Sequence, residues 1–137
     1  MTDRELIMEA FKAREMSYCP YSEFAVGAAL LTKDGRVYRG CNIENASYTP
    51  TNCAERTAFF KAVSEGDMEF ERIAIVGGNI NKPVDDYAYP CGVCRQVMRE
   101  FCDPETFEII VAVSEDKYQK NLLKEILPYG FGPENLQ

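Results

Sequence analysis

Phe24–Asn42 reads FAVGAALLTKDGRVYRGCN, and its reading decides the fold. Phe24 to Thr32 is apolar on both faces, as a strand covered from two sides must be. Lys33-Asp34-Gly35 is a hairpin turn signal. Arg36 to Asn42 then returns as a second strand, so the two pair antiparallel. A strand buried on both faces needs layers above and below it, and the flanking sequence has to supply them.

It does so in order. On the N-terminal side, Thr2-Asp3-Arg4-Glu5 has the form of a capping box, and Leu6, Ile7, Ala10, Phe11 and Ala13 follow at helical spacing. A first helix is predicted to about Glu15 or Met16, followed by a loop, SYCPYSEF. On the C-terminal side, residues 42–52 form a polar loop. Asn52 reads as the N-cap of a helix, CAERTAFFKAVSEG, that stops at Gly66. Residues 72–78, RIAIVGG, read as a short buried strand. A second loop, NINKPVDDYAY, precedes a helix from Cys91 to Cys102. EIIVAVS (108–114) is the next strand, and a weak terminal helix is predicted over Leu122–Leu127. Strands alternating with helices after an antiparallel hairpin imply a mixed sheet with right-handed crossovers and helices on its faces. The expected class is α/β, one domain over residues 1–137.

Composition narrows the function. The chain has 137 residues, 46% hydrophobic and 27% charged, with a formal net charge of -7. That balance disfavours nucleic acid and anionic membranes as partners, since both demand clustered Lys and Arg. The longest apolar run, Phe24 to Leu31, is far short of the roughly 20 residues a spanning helix needs. With no secretory run at its start, the protein is expected to be cytoplasmic.

The chemistry concentrates in two places. Pro90-Cys91-Gly92-Val93-Cys94 carries a CxxC pair at a helix start, and Cys53 opens the other central helix. Histidine is absent, so the other metal-ligating residues must be cysteines or carboxylates. Helix N-termini stabilise negative charge, and thiolates rather than thiols bind zinc. Cys53, Cys91 and Cys94 are therefore the expected zinc ligands, one ion per chain, with one tetrahedral position open as in catalytic zinc sites. Cys102 is roughly 12 Å along its helix from Cys94 and out of reach; with Cys19 and Cys41 it reads as a small apolar residue. Glu55, two residues after Cys53, stands where a carboxylate faces a metal-bound water and shuttles its proton. A blander reading makes Asn52 and Glu55 a capping box. A thioredoxin-like redox pair at Cys91 and Cys94 is a further alternative, but it leaves Cys53 and Glu55 unexplained.

C-x-E followed by P-C-x-x-C resembles the cysteine-only form of the zinc deaminase signature. SYCPYSEFAVGAALLTKDGRVYRGCNIENASYTPTNCAERTAFFKAVSEG, PCGVCRQV and the tail LPYGFGPENL are similar to the small, homotetrameric cytidine deaminases. The resemblance implies a three-layer α/β/α fold and zinc-dependent deamination of cytidine and deoxycytidine, a step of pyrimidine salvage. It implies Glu55 as proton shuttle, and Arg56 and Gln96 as donors to the cysteine sulfurs. It implies Asn42 and Glu44 on the ribose, Phe24 against the pyrimidine, Ala54 on the polar edge of the base, and Tyr48 and Phe131 reaching a neighbouring subunit's site. For Phe24 and Phe131, plain packing is the competing reading, and for Arg56 a solvated helix charge. The loop 79–89 looks longer than in relatives, and Tyr89 and Val93 replace smaller residues. Two rivals remain: a deaminase of another amino-pyrimidine nucleoside, of the blasticidin type, and a structural zinc protein closed by a fourth ligand.

Overall fold

The computed structural model describes all 137 residues. One five-stranded mixed sheet runs in the order β2-β1-β3-β4-β5. The strands are β1 Phe24–Thr32, β2 Val37–Cys41, β3 Phe70–Asn79, β4 Glu108–Ser114 and β5 Lys117–Leu122. The helices are α1 Asp3–Arg14, α2 Ala54–Ser64, α3 Gly92–Phe101 and the short α4 Leu123–Ile126, with a 3-10 turn over Pro133–Leu136. β1 pairs antiparallel with β2 and with β3, β3 runs parallel to β4, and β4 pairs antiparallel with β5. The parallel β3–β4 pair requires a crossover, and α3 supplies it. The expected hairpin is present, with Gly35 at φ +91° in its turn, a conformation glycine adopts without the Cβ penalty.

The alternation along the strands sorts side chains into two cores. Ala28, Leu30, Ile73, Ile75, Ile109 and Val111 face α2 and α3, where Ala54, Ala58, Phe59 and Met98 are buried. Ala29, Leu31, Ala74, Val76, Ile110 and Ala112 face α1, where they meet Leu6, Ile7 and Ala10. Period-two strands apolar on both faces thus yield three layers, with α1 on one side and α2 and α3 on the other. The first capping box forms: the Glu5 N–H donates to Thr2 Oγ1 at 3.1 Å and the Thr2 N–H to Glu5 Oε1 at 3.2 Å.

Two expectations differ from the structure. α2 is capped by Cys53, not Asn52, and Cys53 makes no side-chain cap bond. Asn52 instead bridges to Ile43 through two backbone hydrogen bonds of 2.9 Å, so its backbone belongs to the loop before the helix. The Asn52–Glu55 capping box does not form. β5, KYQKNL, was not expected as a strand. It is a polar, largely exposed edge strand, and charges on an edge suppress both further pairing and the hydrophobic alternation that reveals a strand.

Gly40 on β2 sets how closely α2 approaches. A Cβ there would lie 2.3 Å from the Ala54 carbonyl oxygen and 2.6 Å from the Ala58 nitrogen. Both are backbone atoms of the helix that carries Cys53 and Glu55, so neither yields without moving the helix. Gly40→Ala is expected to cost about 3 kcal/mol, read as a lower urea midpoint at unchanged m-value.

Candidate active site

Cys53 and Cys91 are the N-cap residues of α2 and α3, and Cys94 lies in the first turn of α3. The two helices pack on the same face of the sheet and bring these ends together. The three Sγ atoms all lie within 4.8 Å of one another, and Cys53 and Cys91 are 3.8 Å apart. A tetrahedral zinc with bonds of about 2.3 Å separates its sulfurs by about 3.8 Å, so the cluster fits that ion. No fourth cysteine, histidine or carboxylate joins the group. Cys19 and Cys102 are buried elsewhere and Cys41 is half-buried. The arrangement leaves a coordination position open, against the structural-zinc reading.

The electrostatics suit thiolates. The Arg56 Nη2 donates to Cys53 Sγ at 3.2 Å. Burial works against the charge on Arg56, yet its hydrogen bonds to Cys53 and Cys94 hold its pKa above the ordinary value. Its Nε is buried without a partner. Cys53 is pushed down to about 5, first by the hydrogen bond from Cys94, which outweighs burial, and then by Arg56. The same hydrogen bond, with burial, pushes Cys94 up. The Cys94 N–H also points at Cys91 Sγ, 3.4 Å away.

Glu55 is the one buried carboxylate, 5% exposed. Burial pushes it up to about 7, and the nearby Cys53 charge adds to this. A carboxyl that gains and loses its proton near neutral pH is suited to general acid/base work. Beside it opens a cleft of about 200 Å³ lined by Phe24, Val26, Asn42, Thr51, Asn52, Cys53, Ala54, Glu55, Ala88, Tyr89 and Cys91.

Four of the expected substrate and catalytic positions therefore share one cleft with the Cys53 and Cys91 thiols: Phe24, Asn42, Ala54 and Glu55. Asn42 is heavily engaged within the chain. Its Oδ1 accepts from the Val26 N–H at 2.9 Å and from the Ser17 hydroxyl, and its Nδ2 donates to the Phe24 carbonyl at 2.7 Å. One amide N–H is left over. Glu44 is not among the residues lining the cleft. Its Oε1 accepts from the Tyr21 and Ser22 N–H groups at 2.9 and 3.1 Å, and its Oε2 from the Ser22 hydroxyl. Tyr48 and Phe131 are exposed and line no part of this cleft. Gln96 departs from expectation: its amide donates to the Phe131 carbonyl at 2.7 Å and makes no bond to sulfur. Two residues beyond Cys94 is about 200° around a helix, which turns Gln96 outward. Sequence reasoning missed Val26, Thr51, Asn52 and Ala88 as lining residues. Val26 was legible, because it shares the Phe24 side of β1; Ala88 carries no local signal.

An open three-thiol metal site with a buried carboxyl beside it, at two helix ends on one edge of a mixed sheet, is the arrangement of the zinc-dependent deaminases. Comparison with known proteins makes the class definite. Residues 1–110 match the cytidine and deoxycytidylate deaminase zinc-binding region, and the chain belongs to that family. A cytidine deaminase of Sporosarcina psychrophila is 48% identical, over 99% of this chain and 96% of its own. One from Halalkalibacterium halodurans is 51% identical over 98% of each. The crystal structure of cytidine deaminase from Burkholderia pseudomallei superposes with a TM-score of 0.86 at 46% identity, covering 96% of this chain and 100% of that one.

Proposed function

We propose that this protein is a zinc-dependent cytidine deaminase that converts cytidine and deoxycytidine to uridine and deoxyuridine with release of ammonia, within pyrimidine salvage. The observation that carries this is the buried Glu55 carboxyl opening onto the same cleft as Cys53 and Cys91. Cys53, Cys91 and Cys94 would hold one zinc ion, which supplies a Lewis acid that turns water into a nucleophile near neutral pH. Glu55 takes a proton from the attacking water and delivers it to N3 of the base. Attack at C4 then gives a tetrahedral carbon bearing a hydroxyl; Glu55 takes that hydroxyl's proton and passes it to the amino group, so the C–N bond breaks and ammonia leaves as the C4 carbonyl forms. The Ala54 N–H, unpaired at the start of α2, suits the polar edge of the base, and Phe24 suits its ring face. Purified protein incubated with cytidine should lose the cytidine absorbance while releasing one ammonia per turnover; neither change with zinc bound overturns the proposal.

Asn42 and Glu44 serve the sugar. Asn42 keeps one N–H and Glu44 one lone-pair position free after their bonds within the chain, a donor and an acceptor for hydroxyl groups. Asn42 also holds the backbones of Phe24 and Val26, so its removal disturbs the base site as well. Glu44→Gln is the cleaner variant. It should lower kcat/KM for cytidine by about tenfold and leave the slow deamination of free cytosine unchanged. Equal losses on both compounds assign Glu44 a structural role only.

Residues 1–137 act as one catalytic domain in this proposal, and four copies assemble. Tyr48 and Phe131, exposed and outside their own cleft, extend to neighbouring sites. Tyr48 holds a left-handed backbone, φ +63°, a conformation that functional loops retain at a cost. Six cysteines, none in a disulfide, fit the reducing cytoplasm.

A further inference from the structure

We infer that Arg95 is a positioning residue for the metal site: it holds both peptide planes that flank Cys91 and ties them to the C-terminal segment. The inference rests on the zinc reading above only in that Cys91 is a ligand. The Arg95 Nε donates to the Pro90 carbonyl at 2.7 Å. Its backbone N–H donates to the Cys91 carbonyl at 3.0 Å. A peptide unit is planar, so holding its oxygen orients the whole plane. The Pro90–Cys91 plane and the Cys91–Gly92 plane meet at the Cys91 Cα, and their relative setting is the Cys91 backbone conformation, φ -68° and ψ 168°. One residue therefore grips Cys91 from both sides and sets where its thiol projects.

The guanidinium is itself anchored. Nη1 donates to the Ile126 carbonyl at 2.6 Å, at the end of α4, whose Leu123 is fully buried in the core. Two donors of one rigid fork thus join two carbonyls from distant segments. Pro90 is buried, and a buried carbonyl needs such a donor. Lysine cannot reproduce this, because its ammonium is a single point at the end of a flexible stem. Neighbouring residues on α3 also hold the tail, Gln96 through the Phe131 carbonyl and Arg99 through the Glu134 carboxylate. Neither contacts the loop before Cys91, which sets Arg95 apart.

The test measures metal release rather than turnover. Zinc-loaded wild type, Arg95→Lys, Arg95→Gln and Arg99→Gln are mixed with excess 4-(2-pyridylazo)resorcinol, and zinc transfer is followed by absorbance. Both Arg95 variants should release zinc at least about tenfold faster than wild type, Gln faster than Lys. Arg99→Gln, which loosens only the tail, should match wild type. In parallel, kcat for cytidine should fall in the Arg95 variants with KM little changed. If Arg95→Gln does not fold, Arg95→Lys decides the matter. Wild-type release rates in the Arg95 variants overturn the inference, as does equal acceleration in Arg99→Gln. Wild-type protein that takes up no zinc overturns the deaminase proposal and this inference together.

Discussion

Glu55→Gln protein is expected to fold, to bind zinc at the wild-type level and to deaminate cytidine about 10³-fold more slowly or worse. Gln has the size of Glu and keeps polar atoms at the mouth of the cleft. It cannot take a proton from water or give one to N3 and the leaving amine. The structure removes the competing role. Glu55 does not close a capping box, since Cys53 is the N-cap of α2 and makes no side-chain cap bond, and its carboxylate is buried. A buried carboxyl pushed up to about 7 by desolvation carries an energetic cost that packing alone does not explain. Turnover near the wild-type rate at full zinc content would remove Glu55 from the mechanism.

Cys91→Ala protein should contain almost no zinc after dialysis, and its activity should fall to background. Two remaining thiols do not make a tight site, and the substitution also removes the side chain that accepts the Cys94 N–H. Cys53→Ala should behave alike, and it further leaves the Arg56 guanidinium without its 3.2 Å sulfur partner. Cys102→Ala is the control. That thiol lies in the core between α3 and β4, away from the cluster, so the variant should keep its zinc and lose only modest stability. Metal analysis of the purified variants settles the ligand set. Full zinc in Cys91→Ala and Cys53→Ala would show that the thiol cluster does not hold the metal.

Spacing along the chain pointed to the Cys91 and Cys94 half of the metal site, but it did not relate that half to Cys53. Cys53 and Cys91 lie far apart in sequence, and what related them was a shared context: each opens a helix that follows a loop leaving the sheet. That context was readable because the strands announce themselves. Phe24–Thr32 and Glu108–Ser114 carry enough β-branched and apolar residues to identify a doubly buried sheet, and a doubly buried sheet must place helix ends along its edges. The Thr2 capping box and the Asp34-Gly35 turn were legible for a similar reason, since each is satisfied by atoms a few residues away.

Features that depend on distant partners were not legible. The polar strand β5 forms because β4 offers it a free edge, and nothing in KYQKNL reports that edge. Cys53 rather than Asn52 caps α2 because Ile43, in another part of the loop, claims the Asn52 backbone on both sides. Gln96 faces the tail because helical rotation carries it away from the sulfurs, and Asn42 is largely consumed by the Phe24, Val26 and Ser17 groups that fold around it. Residue type and local periodicity determined the helices and the apolar strands, because those rest on short-range hydrogen bonds and on which faces must be buried, while the family was readable through the resemblance of whole motifs such as TNCAERT and PCGVCRQ. Only the tertiary structure decided which donors and acceptors are already spent, because each such group has a fixed number of bonds and its partners come from across the fold.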